Sequence, residues 1–527
     1  MSGLGSRNKI ATRGEMRAID EATSRDFGVP SILLMELAGK CVGDEVWRLL
    51  GDEARKKRPR VAVVCGGGAN GGDGYSAARH LLNAGADVTV FRVSKEPAVG
   101  SDSRLEFDAL RKLAVSVIDA SNGDVTPHEA WLRTADVVVD AIFGTGLTRD
   151  VEGAHLTTID LLNALGAKRL AVDVPSGLDA DTGQPQGATV RADVTVTMGL
   201  PKRGLLLYPG AEFVGELVVA DIGIPRALLE SDAIKAHSLT LADAAAPIGR
   251  RDRDTNKGAY GHALVVAGSL GKTGAAILCC NAAMRSGAGL VTLATDLEAV
   301  RIVATSAVET MCATLTECND ASSAERVFAR LVELCEGKRV LAIGPGIPTS
   351  SGMALVVRRV AAEIPLPVVI DADGLNLLVG NVDAIRCAKG PRVLTPHPGE
   401  MARLTGLRTA EIARDRIGVA QKFAADVRAH VVLKGARSVV AAPDGRVWVN
   451  PTGNPGMATG GTGDVLCGVL TALIAQGIEA GQAARTAVYL HGEAGDRAAA
   501  RVGERGLVAS DLIDEVPRVL KEWESQR

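Results

Sequence analysis

Short runs of apolar, β-branched residues recur along this chain with helical patterns between them, and no other feature constrains its fold as strongly. In the first half the runs are VAVVC (61–65), VTVFRV (88–93), DVVVD (136–140), RLAVD (169–173) and DVTVTM (193–198). Helical spacing lies between several of them, at 76–84 and 157–165. Near-continuous apolar runs belong to strands covered on both faces, and alternation with helices builds a parallel sheet from βαβ units. The second half repeats the pattern with HALVVAG (262–268), GLVTLA (289–294), RVLAIG (339–344), PVVID (367–371), RVLT (392–395) and HVVLKG (430–435). Long helical patterns follow at 464–475 and 481–500. Between the halves, a less regular stretch ends in the charge cluster RRDRDTNK (250–257). The expected organisation is two α/β domains, residues 1–228 and 251–527, joined by a linker at 229–250.

Composition narrows the function. With 59 Lys and Arg against 62 Asp and Glu, the chain has a net charge of −3. That excludes a nucleic-acid protein working through a large basic surface. Seven Phe, four Trp and four Tyr in 527 residues leave little for base-stacking platforms. The most apolar stretch, 264–295, is interrupted by Lys272 and Arg285, so no membrane span is expected. The N-terminal sequence lacks the apolar core of a signal peptide. The nine cysteines include no C-x-x-C pair, which fits free thiols in the cytoplasm.

Three strand ends in the first half carry polar groups. VAVVCGGGANGGDGYSAARHL reads as strand, Gly-rich turn and helix, a Rossmann-like start to a three-layer α/β/α domain. Gly66, Gly68 and Gly71 satisfy G-x-G-x-x-G. A dinucleotide dehydrogenase also places an acid about 20 residues further on, after the next strand. Here that strand ends in FRVS, with Arg92 and no acid. Asp73 would repel a pyrophosphate, so Asn70 and Asp73 read as ligands for a substrate or cation. Asp140 closes a second strand before Gly144 and Gly146, and Asp173 closes a third before Ser176. Ligands of open α/β sheets bind outside the carboxyl ends of strands. Asn70, Asp140, Asp173 and Ser176 are expected in one such crevice, where hard oxygen donors suit K⁺, Mg²⁺ or Ca²⁺.

The motifs NGGDG, DAIFGTGL and DVPSGLDADTG resemble those of the NAD(P)H-hydrate epimerases, over about residues 13–225. The resemblance implies a K⁺ site at Asn70, Asp140 and Ser176. It also implies substrate contacts from Ala69, Asn70, Gly71, Gly72 and Asp73, and from Gly144, Thr145, Gly146, Leu147, Thr148, Arg149 and Asp150. Asp173 would touch the substrate as general base, since epimerisation at a hydroxyl-bearing carbon needs a proton relay.

In the second half, GSLGKTG comes close to a phosphate-binding P-loop, but the first glycine of G-x-x-x-x-G-K-[ST] would fall on Val266. The stronger signal is NPGMATGGTGDVLCGVL (454–470). Gly460, Gly461 and Gly463 form a turn whose N–H groups, at a helix start, make an anion hole. Asp464 follows, placed to take a proton from a hydroxyl. This motif resembles the ribokinase-like superfamily. IGPG (343–346), DADGLN (371–376), TPHPGE (395–400) and LKGARS (433–438) narrow the resemblance to the ADP/ATP-dependent NAD(P)H-hydrate dehydratases, over about residues 250–520.

That second resemblance implies nucleotide contacts from Lys434, Gly435, Ala436, Arg437, Ser438 and Gly463, and substrate contacts from Gly346, His397 and Asp464. It implies Mg²⁺ with ADP, favoured over ATP, as co-substrate. The catalytic pair would be Asp173 and Asp464. Asp371 and Asp373 stand either near Mg²⁺ and phosphate or simply at a strand end, and His491 reads as core. The substrates would be NADHX and NADPHX, and assemblies of identical chains are common in the family. Two other readings stand beside this one: a ribokinase-like vitamin or sugar kinase fused to a non-catalytic Rossmann-like binding module, which leaves TPHPGE unexplained, and an NAD oxidoreductase, which lacks its acid.

Overall fold

The structure is a computed structural model that describes residues 8–52, 57–113 and 115–525. It comprises two compact units, with the division between Ala236 and His237. The first is built on β1 (Arg60–Cys65), β2 (Asp87–Arg92), β3 (Ser116–Asp119), β4 (Val137–Ala141), β5 (Lys168–Val172), β6 (Val194–Met198) and β7 (Glu216–Ala220). Their order is β3-β2-β1-β4-β5-β6-β7, and every neighbouring pair is parallel. Val61 stands between Val88 and Val137, which sets the register at the sheet centre.

The residues of β1 show why three layers form. Val61, Val63 and Cys65 enter a core shared with helices Arg13–Phe27, Ser31–Leu50, Ala69–Asn83 and Asp102–Arg111. Ala62 and Val64 enter the opposite core, with Phe91, Leu132 and the residues Ile159 and Leu162 of helix Gly153–Ala164. All five are fully buried, and a buried Val side chain contributes about 1.5–3 kcal/mol. The helix Ala69–Asn83 starts hard against the end of β1. Gly71 is required there, because a Cβ would lie 2.0 Å from the Gly66 carbonyl oxygen.

The second unit carries a ten-stranded sheet in the order β11-β10-β9-β12-β13-β14-β15-β16-β17-β8. The strands are β8 (Ala236–Ser238), β9 (His262–Val266), β10 (Leu290–Asp296), β11 (Met311–Leu315), β12 (Val340–Ile343), β13 (Val368–Ile370), β14 (Arg392–Leu394), β15 (His430–Leu433), β16 (Val439–Ala441) and β17 (Val447–Val449). From β11 to β15 all pairs are parallel, and β16 and β17 continue as an antiparallel ribbon. The helix Thr462–Ala475 has every residue from Val465 to Ala475 buried. A helix apolar all round belongs inside its domain, and this one packs with Thr273–Arg285, Ala480–Val502 and Ala509–Ser525.

Residues 229–250, expected as a linker, carry structure of both units. Leu229 and Ile234 are buried in the first core. β8 borders the second sheet, and Leu239, Ala244 and Ile248 are buried in the second core. No helix among the described residues is long and apolar enough to cross a membrane.

Candidate active sites

In the first sheet, strand order reverses between β1 and β4, and the crevice at that point is where α/β sheets bind ligands. A cavity of about 760 Å³ opens there. Ala69, Asn70 and Asp73 line it from one helix start, the whole run Gly144 to Arg149 from the loop after β4, and Asp173 from the end of β5. Gly71 and Gly72 face inward instead. A Cβ on Gly72 would meet Met35 Sδ and Ser103 Oγ, both at 2.6 Å. Asp150 is exposed and lies outside the lining.

Asp140 and Ser176 sit beneath this crevice, buried. Ser176 donates from Oγ to Asp140 Oδ1 (2.6 Å) and from its backbone N to Oδ2 (2.8 Å). Burial pushes the Asp140 carboxyl up to about 6, against these bonds. Ser176 Oγ also lies 3.2 Å from the Phe143 carbonyl oxygen and accepts from Phe143 N. Asn70 packs on Gly144, and its buried Nδ2 has no partner. A half-turn of that amide presents an oxygen in its place. The donors available (carboxylate, hydroxyl, carbonyl and amide) are hard oxygens that fit an alkali cation. No group of three or more His, Cys, Asp or Glu able to hold a metal occurs among the described residues.

Asp173 has φ +64°, left-handed for a residue with a side chain. Its backbone N donates to Val196 O at 2.7 Å, which holds the turn in place. Its carboxylate pairs with Lys202, a buried lysine that sequence reasoning missed. Asp20, on helix Arg13–Phe27, lines the same cavity and was missed too. The signal for Lys202 was available: GLPK follows β6 directly, as DVPS follows β5. Arg92, where a dehydrogenase would place its acid, pairs instead with Asp119 at 2.7 Å.

The second cluster gathers at the ends of β12 to β15. Lys434, after β15, donates to Asp371 Oδ1, after β13, at 2.6 Å, and lies 3.9 Å from Glu400. Burial alone would lower the lysine, but Asp371 and Glu400 outweigh it and raise it. The Gly-rich turn of helix Thr462–Ala475 closes on this lysine: a Cβ at Gly463 would stand 3.3 Å from Nζ. Burial pushes the Asp464 carboxyl up to about 6, with Asp371 adding and Lys434 opposing. Burial likewise takes Glu400 up to about 7.

His397 caps helix Pro398–Thr405. Its Nδ1 accepts from Gly399 N (3.0 Å) and Glu400 N (3.3 Å). Burial and the charges of Lys434 and Arg403 lower its pKa. With two backbone N–H groups aimed at Nδ1, the ring carries its proton on Nε2.

Other expected residues stand further out. Gly346 is buried at φ +67°, and its carbonyl accepts from Ser269 Oγ at 2.8 Å. Gly435 and Ala436 are exposed, Arg437 donates to the Pro451 carbonyl and Ser438 Oγ donates to Gly435 O. Asp373 pairs with Lys272 at 2.8 Å on the rim. His491 Nε2 donates to Thr462 O behind the turn, and burial lowers it to about 4. A separate cavity of about 890 Å³ opens at the ends of β9 to β11, reaches Ser269 and Ile347 on either side of Gly346, and does not include Asp464.

Two α/β domains, each with buried carboxyls and one lysine at the carboxyl edge of its sheet, define a two-site enzyme. A family model described as YjeF-related protein N-terminus matches residues 31–204, and one described as NAD(P)H-hydrate dehydratase matches residues 263–518. The bifunctional NAD(P)H-hydrate repair enzyme of Moorella thermoacetica is 41% identical over 98% of this chain and 97% of its own. That of Thermofilum pendens is 40% identical over 97% and 96%. A solved ADP/ATP-dependent NAD(P)H-hydrate dehydratase from Bacillus subtilis, co-crystallised with ATP/Mg²⁺, is 33% identical, with a TM-score of 0.48 over 55% of this chain and 98% of that one. The chain belongs to the bifunctional NAD(P)H-hydrate repair enzymes, with an N-terminal epimerase domain and a C-terminal dehydratase domain.

Proposed function

We propose that the first domain interconverts the R and S forms of NADHX and NADPHX at the β1–β4 crevice, and that the second dehydrates the S form with an adenine nucleotide, ADP before ATP. The observation that carries this reading is the pairing of Asp173 with buried Lys202 at the first sheet edge, and the placing of Asp464 within the field of the buried Lys434–Asp371 pair at the second. In the first, Asp173 acts as general base on the hydroxyl of the hydrated ring. Asn70, Asp140 and Ser176 would hold K⁺, which would fix the loop after β4 electrostatically. In the second, Asp464 takes the hydroxyl proton as the hydroxyl oxygen attacks the terminal phosphorus of the nucleotide. The ring nitrogen lone pair then expels phosphate, and loss of a proton from the adjacent ring carbon restores the dihydronicotinamide.

Gly463 and the turn around it offer N–H donors to the transferring group, and Lys434 adds a fixed positive charge. Mg²⁺ would accompany the nucleotide phosphates and neutralise charge on them, and Asp371 and Asp373, whose charges reach Asp464, are the carboxylates that would attract it. All nine cysteines are free thiols, which supports a cytoplasmic place of work.

A cuvette assay tests both halves. Racemic NADHX with Mg²⁺, K⁺ and either ADP or ATP should return all its dihydronicotinamide absorbance, faster with ADP. Recovery of half would remove the epimerase assignment. No recovery would favour a small-molecule kinase.

The dehydration rate should also depend on pH. Asp464 must be ionised to act, and its carboxyl lies near 6. kcat/KM should therefore fall about tenfold per unit below pH 6 and level off above about 7. A flat profile from pH 5 to 7 would reject Asp464 as the base.

A further inference from the structure

The first domain buries a lysine that neither proposed reaction uses. Lys202 is 1% exposed. Its backbone is clamped by the N-terminal segment: Ala11 N donates to Pro201 O, and Arg203 N donates to Ala11 O. Its three N–H donors are all engaged, with Asp173 Oδ1, Thr197 Oγ1 (3.1 Å) and the Met198 carbonyl (3.0 Å). Asp173 Oδ1 in turn accepts from Thr197 Oγ1 (3.1 Å) and Met198 N (3.2 Å) as well. Three donors thus converge on one carboxylate oxygen. No hydrogen bond from the described residues reaches Oδ2, on a side chain that lines the cavity.

Two further carboxyls, Asp20 and Asp73, line the same cavity and have no ion-pair partner among the described residues. One ammonium cannot neutralise three carboxylates, and its direct bond goes to Asp173. Burial and the charge of Asp173 push Asp73 well above the usual carboxylate range. Neighbouring carboxyls in opposite protonation states form an acid–base pair.

We propose that Lys202 is a positioning residue of epimerisation, holding Asp173 by Oδ1 so that Oδ2 meets the substrate hydroxyl, with Asp73 as the partner acid. This rests on the epimerase reading of the first domain. Asp173 Oδ2 takes the proton of the hydroxyl on the carbon beside the ring nitrogen. The carbon–nitrogen bond breaks, its electron pair passes to nitrogen, and nitrogen takes the proton of Asp73. The product is an open-chain aldehyde with an N–H. After rotation about the neighbouring carbon–carbon bond, nitrogen attacks the other face of the carbonyl. Its proton returns to Asp73, and Asp173 gives its proton to the alkoxide. No redox partner is needed, and both carboxyls end as they began.

The test uses the full chain with resolved epimers and no nucleotide, followed by NMR. Lys202→Met should lower kcat for interconversion about 100-fold or more while KM stays within threefold. Dehydration of the S epimer with ADP, measured on the same preparation, reports whether the rest of the chain is intact. Asp73→Asn should lose about 100-fold in kcat as well. Thr197→Val should lose about tenfold, and Thr197→Ser, which restores the hydroxyl, should return to within twofold of the parent. A packing role for Lys202 would raise KM and would not be sensitive to that hydroxyl.

Folded Lys202→Met with kcat within threefold of the parent would overturn the positioning role. If that variant does not fold, equal rates for Thr197→Val and Thr197→Ser would overturn it. Asp73→Asn within threefold would overturn the acid assignment. In each case the parent still interconverts epimers, so the domain's function stands; a parent that does not interconvert them removes the reading and the proposal together.

Discussion

Asp464→Asn is expected to lower nucleotide-dependent consumption of the hydrated cofactor about 10³-fold and to leave the interconversion of its epimers at the parent rate. The first effect follows from geometry. Asp464 heads the helix Thr462–Ala475, two residues beyond the point where the Gly-rich turn becomes helical. Its carboxyl faces Asp371 and Lys434. Asparagine keeps the size and the helix start but cannot take a proton, so what remains is the stabilisation from the turn and the lysine. The second effect follows from the division of labour: Asn70, Asp73, Asp173 and Lys202, the residues proposed for epimerisation, line a cavity of the first domain. Separate assays on one preparation, S-NADHX with ADP and R-NADHX without nucleotide, read both. Loss of both activities in a folded variant would contradict independent sites.

Lys434→Met should destabilise the second domain by about 3–5 kcal/mol. The Asp371 side chain is 1% exposed and Glu400 5%. Removing the cation between them leaves uncompensated carboxyls in a site of low dielectric, with Asp464 close by. Urea unfolding of the full chain, read on the second domain's transition, measures this. Adding Asp371→Leu should recover part of the loss, because an apolar pair replaces an unpaired charge. A single variant as stable as the parent would show that the pair contributes nothing there.

The central strands are legible in the sequence because burial on both faces writes an unbroken apolar run. β1, β4 and β6 are buried almost throughout, and VAVVC, DVVVD and DVTVTM mark them to within a residue or two. Edge strands carry no such mark. β3 (SVID) and β11 (MCATL) are mostly half-buried or exposed, and neither stands out in the sequence. The hairpin strands β16 and β17 are three residues each, too short for periodicity to register.

The sites divide in the same way. Carboxylates at strand ends beside glycine turns announce themselves, so the motifs alone single out Asp140, Asp173 and Asp464. Their partners come from distant segments: Lys202 lies 29 residues from Asp173 and Lys434 lies 63 from Asp371. Only folding reveals such pairs. His397 illustrates a further gap, since its tautomer is fixed by the backbone N–H groups of residues 399 and 400 rather than by its own motif.

The left-handed backbone of Asp173 narrows what position 173 can become through random substitution. Most side chains would pay about 1–2 kcal/mol to sit at φ +64°, whereas glycine is free of that strain and asparagine and aspartate tolerate it best. The replacements free of backbone strain are therefore ones that remove the carboxylate. Each of them also leaves the buried Lys202 ammonium without its ion-pair partner, a loss of about 3–5 kcal/mol that outweighs the strain relieved. Random substitution at this position would take stability and the proposed reaction together, and the abundance of a variant in the cell would fall along with its capacity for repair.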